Sequence, residues 1–152
     1  MLSISRADFD DPALIAFLQD HIADMAPTAP PESQHALEFD ELRQPKVRLW
    51  VAHDDRHLVG TAALAELEDA HEELKSMRTD PTRRGGGVAS QLLAHLLEDA
   101  RARGVRRISL ETGSMEFFTP ARTLYLKHGF IECAPFGSYI EDPNSTFMTR
   151  SL

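Results

Sequence analysis

The segment Met77-Arg78-Thr79-Asp80-Pro81-Thr82-Arg83-Arg84-Gly85-Gly86-Gly87-Val88-Ala89-Ser90 joins two halves of the chain that have different hydrophobic rhythms. Before it, residues 47–53, 58–67 and 72–79 read as three strands, with Asp54-Asp55-Arg56-His57 as a hairpin turn between the first two. Strands joined this tightly pair antiparallel. After it, Val88, Leu92, Leu93, Leu96, Leu97 and Ala100 recur at helical spacing. Read over residues 86–103, that helix would be about 27 Å long. It closes on Arg101, Arg103 and Gly104, a basic last turn followed by a glycine stop. Residues 105–112 return to strand, so a strand, a glycine turn, a long helix and a strand form a crossover inside an otherwise antiparallel chain.

Working outward, Leu2-Ser3-Ile4-Ser5-Arg6 alternates and predicts a first strand. Asp10 and Asp11 before Pro12 mark a helix start, with Leu14, Ile15, Phe17, Leu18, Ile22 and Met25 as its apolar stripe. Pro27, Pro30 and Pro31 break that helix, and residues 33–43 predict a shorter one with Leu37 and Leu42 inward. Downstream, Thr119-Pro120 opens a helix that runs to Lys127 and stops at Gly129, and residues 130–134 and 145–150 predict the last strands. The fold class is mixed α/β (α+β), in one domain spanning residues 1–152.

Composition removes several functions. The 152 residues carry a net charge of −8, which lacks the basic footprint that nucleic-acid binding requires. No stretch approaches the ~20 apolar residues of a membrane span, and the start of the chain lacks the apolar core of a signal peptide. A cytoplasmic location is expected, with no membrane and no nucleic acid among the partners. Cys133 is the single cysteine, which excludes an internal disulfide and a cysteine-based zinc site.

The glycine turn is the candidate site. Glycines let backbone approach a ligand closely, and the first amides of a helix have no internal acceptor and sit at its positive end. Together they suit a phosphate or diphosphate, with Arg83 and Arg84 adding charge. The Walker pattern fails because Val88-Ala89 stands where Lys and Ser/Thr are required. The dinucleotide pattern fails at its third glycine, where Ser90 stands, although Glu111 could imitate the ribose-binding acid.

Met77-Arg78-Thr79-Asp80-Pro81 followed by Arg84-Gly85-Gly86-Gly87-Val88-Ala89 resembles the signature of the GNAT superfamily, the acyl-CoA-dependent N-acetyltransferases. Ala121-Arg122-Thr123-Leu124-Tyr125-Leu126-Lys127-His128-Gly129-Phe130 is similar to that family's second segment, A-x-x-L-Y-x-x-x-G-F. Leu110-Glu111-Thr112-Gly113, with the tail around Pro135-Phe136-Gly137 and Tyr139, looks like a bacterial subgroup of acetyltransferases. The resemblance implies a mostly antiparallel sheet of about seven strands with flanking helices. It implies acetyl-CoA as co-substrate and no metal. Backbone groups of Met77, Arg78 and Thr79 would pair with the pantetheine arm. The amides of Arg84, Gly85, Gly86, Gly87, Val88, Ala89 and Ser90 would hold the diphosphate, and Tyr125 would protonate the departing thiolate. One departure is Phe118, where members often carry an Asn that contacts the cofactor arm; backbone or Thr119 would replace it.

Acetyl transfer to an amine needs a proton acceptor, donors for the developing oxyanion and an acid for the thiolate. Two carboxylates are candidates for the base: Glu111, ending the strand after the long helix, and Glu73, on the strand that feeds the glycine turn. Strand alternation puts Glu73, Lys75 and Met77 on one face and Glu72, Leu74, Ser76 and Arg78 on the other. The seven histidines form no metal-ligand spacing, and Cys133 reads as a core residue. Tyr139 and residues 27–33 are candidates to shape an acceptor pocket. The expected acceptor is a small-molecule amine or a protein amino group. Late strands that pair between subunits would make a homodimer. The alternatives are a non-catalytic acyl-CoA sensor or interaction module on the same scaffold, and an unrelated nucleotide-binding enzyme.

Overall fold

The computed structural model describes residues 2–25 and 39–152. A seven-stranded sheet runs in the order β1-β2-β3-β4-β5-β7-β6. Its strands are β1 (Leu2–Arg6), β2 (Val47–Asp54), β3 (His57–Glu68), β4 (His71–Thr79), β5 (Arg107–Gly113), β6 (Ile131–Glu132) and β7 (Ser145–Ser151). Every pairing is antiparallel except β4 with β5. That parallel pair is joined by the crossover helix α3 (Val88–Ala102), as the change of rhythm across the glycine turn predicts. The helix α1 (Pro12–Met25) and the single turn α2 (Phe39–Leu42) precede the sheet's centre, and α4 (Thr119–Lys127) follows β5. The predicted proline break, the first part of the 33–43 helix and the side chains of Ile22 and Met25 lie outside the described residues.

Two cores form on opposite faces of the sheet. Leu14, Leu18 and Leu42 from α1 and α2 pack on Val47, Leu49, Val51 and Ala63. On the other face Val88, Leu92, Leu93, Leu96, Leu97 and Ala100, the α3 stripe read from sequence, pack with Ala62, Leu64, Leu74, Ile108, Leu110, Tyr125 and Phe130. The far end of α3 is tied to the start of β4 by Arg103, whose guanidinium donates to both Glu72 carboxylate oxygens at 2.8 Å and through Nε to Asp99.

The near end of α3 is set by a close approach. A Cβ on Gly60 of β3 would stand 2.8 Å from Leu92 Cδ1 and Val88 Cγ1 and 3.2 Å from the Arg78 carbonyl oxygen. Gly60→Ala is therefore expected to overpack the helix start, with a loss of about 1–3 kcal/mol. Chemical denaturation measures it; a stability equal to the parent would mean that α3 shifts freely.

Three features depart from the sequence reading in ways that bear on the site. The long helix begins at Val88, because Gly87 is its left-handed N-cap (φ +84°) and Gly85 also has positive φ, so residues 84–87 form a turn. Strand β6 keeps only Ile131 and Glu132 of the predicted five residues. The alternation of β4 is broken: Thr61 faces Arg78 and Ala63 faces Lys75, so Ser76 and Met77 together oppose Ala62 as a β-bulge. Ser76 takes φ +53°, and the buried Thr61 hydroxyl donates to its carbonyl at 2.9 Å. The bulge moves Met77 to the α3 side with Leu74, while the Arg78 guanidinium lies 5.3 Å from the Phe17 ring centroid on the α1 side. Glu73 and Lys75 do share a face, but Met77 does not join them.

Candidate functional site

Beyond the bulge, β4 and β5 part. Their parallel pairing covers only His71 to Leu74 against Arg107 to Leu110. Past it, Met77, Arg78 and Thr79 follow β3 on one side, whereas Glu111, Thr112 and Gly113 pair with β7. The backbone edge of β4 that faces β5 is thus released next to the glycine turn, and a sheet edge of this kind accepts an extended, strand-like ligand.

The turn itself is built by local hydrogen bonds. Asp80 donates its N–H to Val59 and accepts from the Thr82 N–H and hydroxyl, each at 2.9 Å. Those two bonds hold the Asp80 carboxyl below the usual carboxylate range. A short 3₁₀ turn (Pro81–Arg83) follows. Of the amides over residues 84–90, only that of Gly86 reaches a backbone acceptor among the described residues, the Arg83 carbonyl at 3.3 Å. The N–H groups of Arg84, Gly85, Gly87, Val88, Ala89 and Ser90 make no such bond. Six main-chain donors thus lie without backbone acceptors at the positive end of a fifteen-residue helix. The two arginines differ: Arg83 is held by Asp54 at 2.6 Å, and Arg84 is exposed. A bare cradle of donors beside a released strand edge fits the diphosphate and the extended amide arm of a coenzyme A thioester.

Tyr125 points into the α3-side core, 6% exposed, its ring 5.8 Å from that of Phe130. Its hydroxyl makes no hydrogen bond among the described residues. Burial, helped by the negative charge of Glu111, pushes the phenol well above its ordinary range, so it stays protonated. Within the paired stretch of β4, on the face away from α3, Glu73 is 6% exposed and accepts from the Tyr139 hydroxyl at 2.6 Å. Lys75 Nζ lies 3.2 Å from that hydroxyl and 3.5 Å from the Glu73 carboxylate. Burial first, then Glu73 and Glu111, push the Tyr139 phenol up as well. Tyr139 packs edge-on against Phe136, and both rings touch Phe147. The negative charge of Glu111 acts on both tyrosines, Tyr125 in the α3-side core and Tyr139 beside Glu73.

Phe118 is buried against Gly113, where any Cβ would run into its ring, so it belongs to the core. Thr119 Oγ1 accepts from Arg122. Burial raises the Cys133 thiol, against a smaller opposite effect of Arg107, which makes it a poor nucleophile. Among the described residues no three His, Cys, Asp or Glu side chains could hold a metal ion, and no helix is long and apolar enough to cross a membrane. Residues 27–33 lie outside the described residues. One contact was missed by sequence reasoning: Ser90 Oγ and His128 Nε2 are 2.9 Å apart, joining the first turn of α3 to the end of α4. The available signal was the place of His128, three residues after Tyr125 in the second family segment.

Known acetyltransferases share this arrangement of elements. The model of the acetyltransferase (GNAT) family matches residues 14–130. The chain is 46% identical over 151 residues to the uncharacterized N-acetyltransferase YsnE of Bacillus subtilis (strain 168), covering 99% of this chain and 100% of that one. It is 45% identical over 152 residues to the uncharacterized N-acetyltransferase YedL of Escherichia coli (strain K12), covering 100% of this chain and 96% of that one. The crystal structure of an acetyltransferase from Streptococcus agalactiae shares the fold, with a TM-score of 0.76 at 24% identity over 99% of this chain and 98% of that one. The chain belongs to the GNAT family of N-acetyltransferases.

Proposed function

We propose that the protein transfers the acetyl group of acetyl-CoA to a primary amine by direct attack, on a small molecule or a protein amino group. The observation that carries this reading is the six amides over residues 84–90 that lack a backbone acceptor, beside the parted strands. Arg84 and the amides of Gly85, Gly87, Val88, Ala89 and Ser90 hold the diphosphate, whereas the Gly86 N–H, expected to join them, is bonded to the Arg83 carbonyl. The backbone of Met77, Arg78 and Thr79 aligns the pantetheine arm along the released edge of β4. Bound acetyl-CoA supplies the activated acyl group and a thiol leaving group. Main-chain N–H at the bulge is aimed at the developing oxyanion. Tyr125, kept protonated by burial, gives its hydroxyl proton to the leaving thiolate.

The amine enters from the Glu73–Tyr139 side. Glu111, whose charge acts on both Tyr125 and Tyr139, is the base that takes its proton. Glu73 holds Tyr139 in place, and the aromatic trio forms the wall of the acceptor side. The protein acts in the cytoplasm as a single domain, without metal, and pairs as a homodimer through its late strands. The test is thiol release from acetyl-CoA across amino acids, polyamines, aminoglycosides and peptides. With the best amine, Glu111→Gln is expected to lower kcat/KM by about 100-fold. No thiol release with any amine, despite saturable acetyl-CoA binding, would overturn the enzymatic reading in favour of an acyl-CoA sensor.

A further inference from the structure

The contact between Ser90 and His128 has no place in the reaction just described. It couples the cradle to the helix of Tyr125 across 38 residues of chain. Ser90 offers its N–H to the cradle and its hydroxyl to the imidazole. His128 caps the end of α4, with its own N–H on the Leu124 and Tyr125 carbonyls, and its carbonyl accepts from Arg150 Nη1 at 2.6 Å. The backbone of His128 is thereby tied to α4 and β7, and its ring meets Ser90. We propose that His128 is a positioning residue of the diphosphate site, taking up a proton as the diphosphate binds and thereby turning the Ser90 hydroxyl toward it. This rests on the reading of residues 84–90 as the diphosphate cradle.

The chemistry follows from donor counting. A neutral imidazole can accept the Ser90 proton at Nε2, which points the hydroxyl hydrogen away from any anion. An imidazolium can only donate at Nε2, so Ser90 Oγ becomes the acceptor and its own hydrogen is released for another partner. The surroundings hold the free protein in the neutral state: burial first and then Arg150 of β7 lower the imidazole from its ordinary range. From α4 the adjacent charged residue is Lys127; the first turn of α3, Val88-Ala89-Ser90-Gln91, carries no charge; in the preceding turn Arg84 is exposed and Arg83 is paired with Asp54. Among the described residues no carboxylate acts on His128. A diphosphate is the anion this cation-rich corner lacks, and its charge raises the imidazole's proton affinity. Binding is then tighter below the raised value and weakens as the pH climbs through it.

Isothermal titration with dephospho-CoA tests the coupling, because its diphosphate stays fully ionised where the terminal phosphate of CoA itself would titrate. The parent protein is expected to bind about tenfold more tightly at about pH 5.5 than at about pH 8. Paired buffers of different ionisation enthalpy should show net proton uptake near neutral pH. His128→Gln should keep the affinity measured at high pH and lose both the slope and the uptake. Ser90→Ala, which leaves the imidazole in place, should retain less than half of the slope and carries the test if His128→Gln does not fold. A flat profile in the parent, or a slope that survives His128→Gln, would overturn the proposal while leaving the cradle intact. Absence of binding by dephospho-CoA and CoA at every pH would instead remove the cradle reading itself, and this inference with it.

Discussion

Replacing Gly87 with glutamate is expected to weaken acetyl-CoA binding by at least about 100-fold, a loss of roughly 2.7 kcal/mol or more. Two effects add. Gly87 stands at φ +84° as the N-cap of α3, a conformation that costs an L-residue roughly 1–2 kcal/mol. Relaxing that strain rotates the very amides that form the cradle. The new carboxylate also sits at the positive end of α3, where it satisfies the donors of Val88, Ala89 and Ser90 from within the protein and repels a diphosphate. Gly87→Ala separates the two effects. A Cβ there has only Gln91 Nε2 within 4 Å, at 3.7 Å, so alanine introduces strain without crowding or charge. Its binding loss should be much smaller than that of glutamate. Calorimetric titration, with a thermal melt to confirm folding, reads both variants. Unchanged affinity in folded Gly87→Glu would dismiss residues 84–90 as the diphosphate site.

Tyr125→Phe is expected to lower kcat by about 100-fold or more, with the dissociation constant of acetyl-CoA changed less than about twofold. The ring is buried and packs on Phe130, so phenylalanine preserves the core. The hydroxyl forms no bond among the described residues, so its removal leaves no buried partner stranded and stability should hold. The phenol lies above its ordinary range because of burial and then Glu111. It is therefore protonated throughout the working pH range, and any alkaline limb in the rate profile belongs to another group. Steady-state kinetics beside equilibrium binding distinguish the roles: kcat falls alone for a proton donor, and binding falls too for a packing residue. A variant with full turnover would remove Tyr125 from the chemistry.

The legible part of the site was local. Residues 84–90 suggest a donor cradle because glycines, a helix start and flanking arginines are neighbours in the chain, and six of the seven amides there make no backbone bond among the described residues. The start of α3 was misplaced by two residues because a glycine before a helix can serve as its first turn or as its left-handed cap, and periodicity does not separate the two. The face of Met77 was misjudged for a different reason. Alternation assumes an unbroken strand, and Ser76 at φ +53° interrupts it without any sequence mark such as glycine. The bulge is held instead by Thr61, fifteen residues away, whose hydroxyl binds the Ser76 carbonyl.

By itself the sequence determined the succession of elements, the crossover, the apolar stripe of α3 and the place of the cradle, because each follows from residues within one or two turns of each other. Tertiary structure alone decided where β4 leaves β5, which carboxylate meets Tyr139, and that His128 meets Ser90. Those pairings join residues 36 to 66 positions apart. Hydrophobic period says which face of an element is buried, whereas the polar partner across that face depends on strand register and on how far each helix slides before its side chains lock.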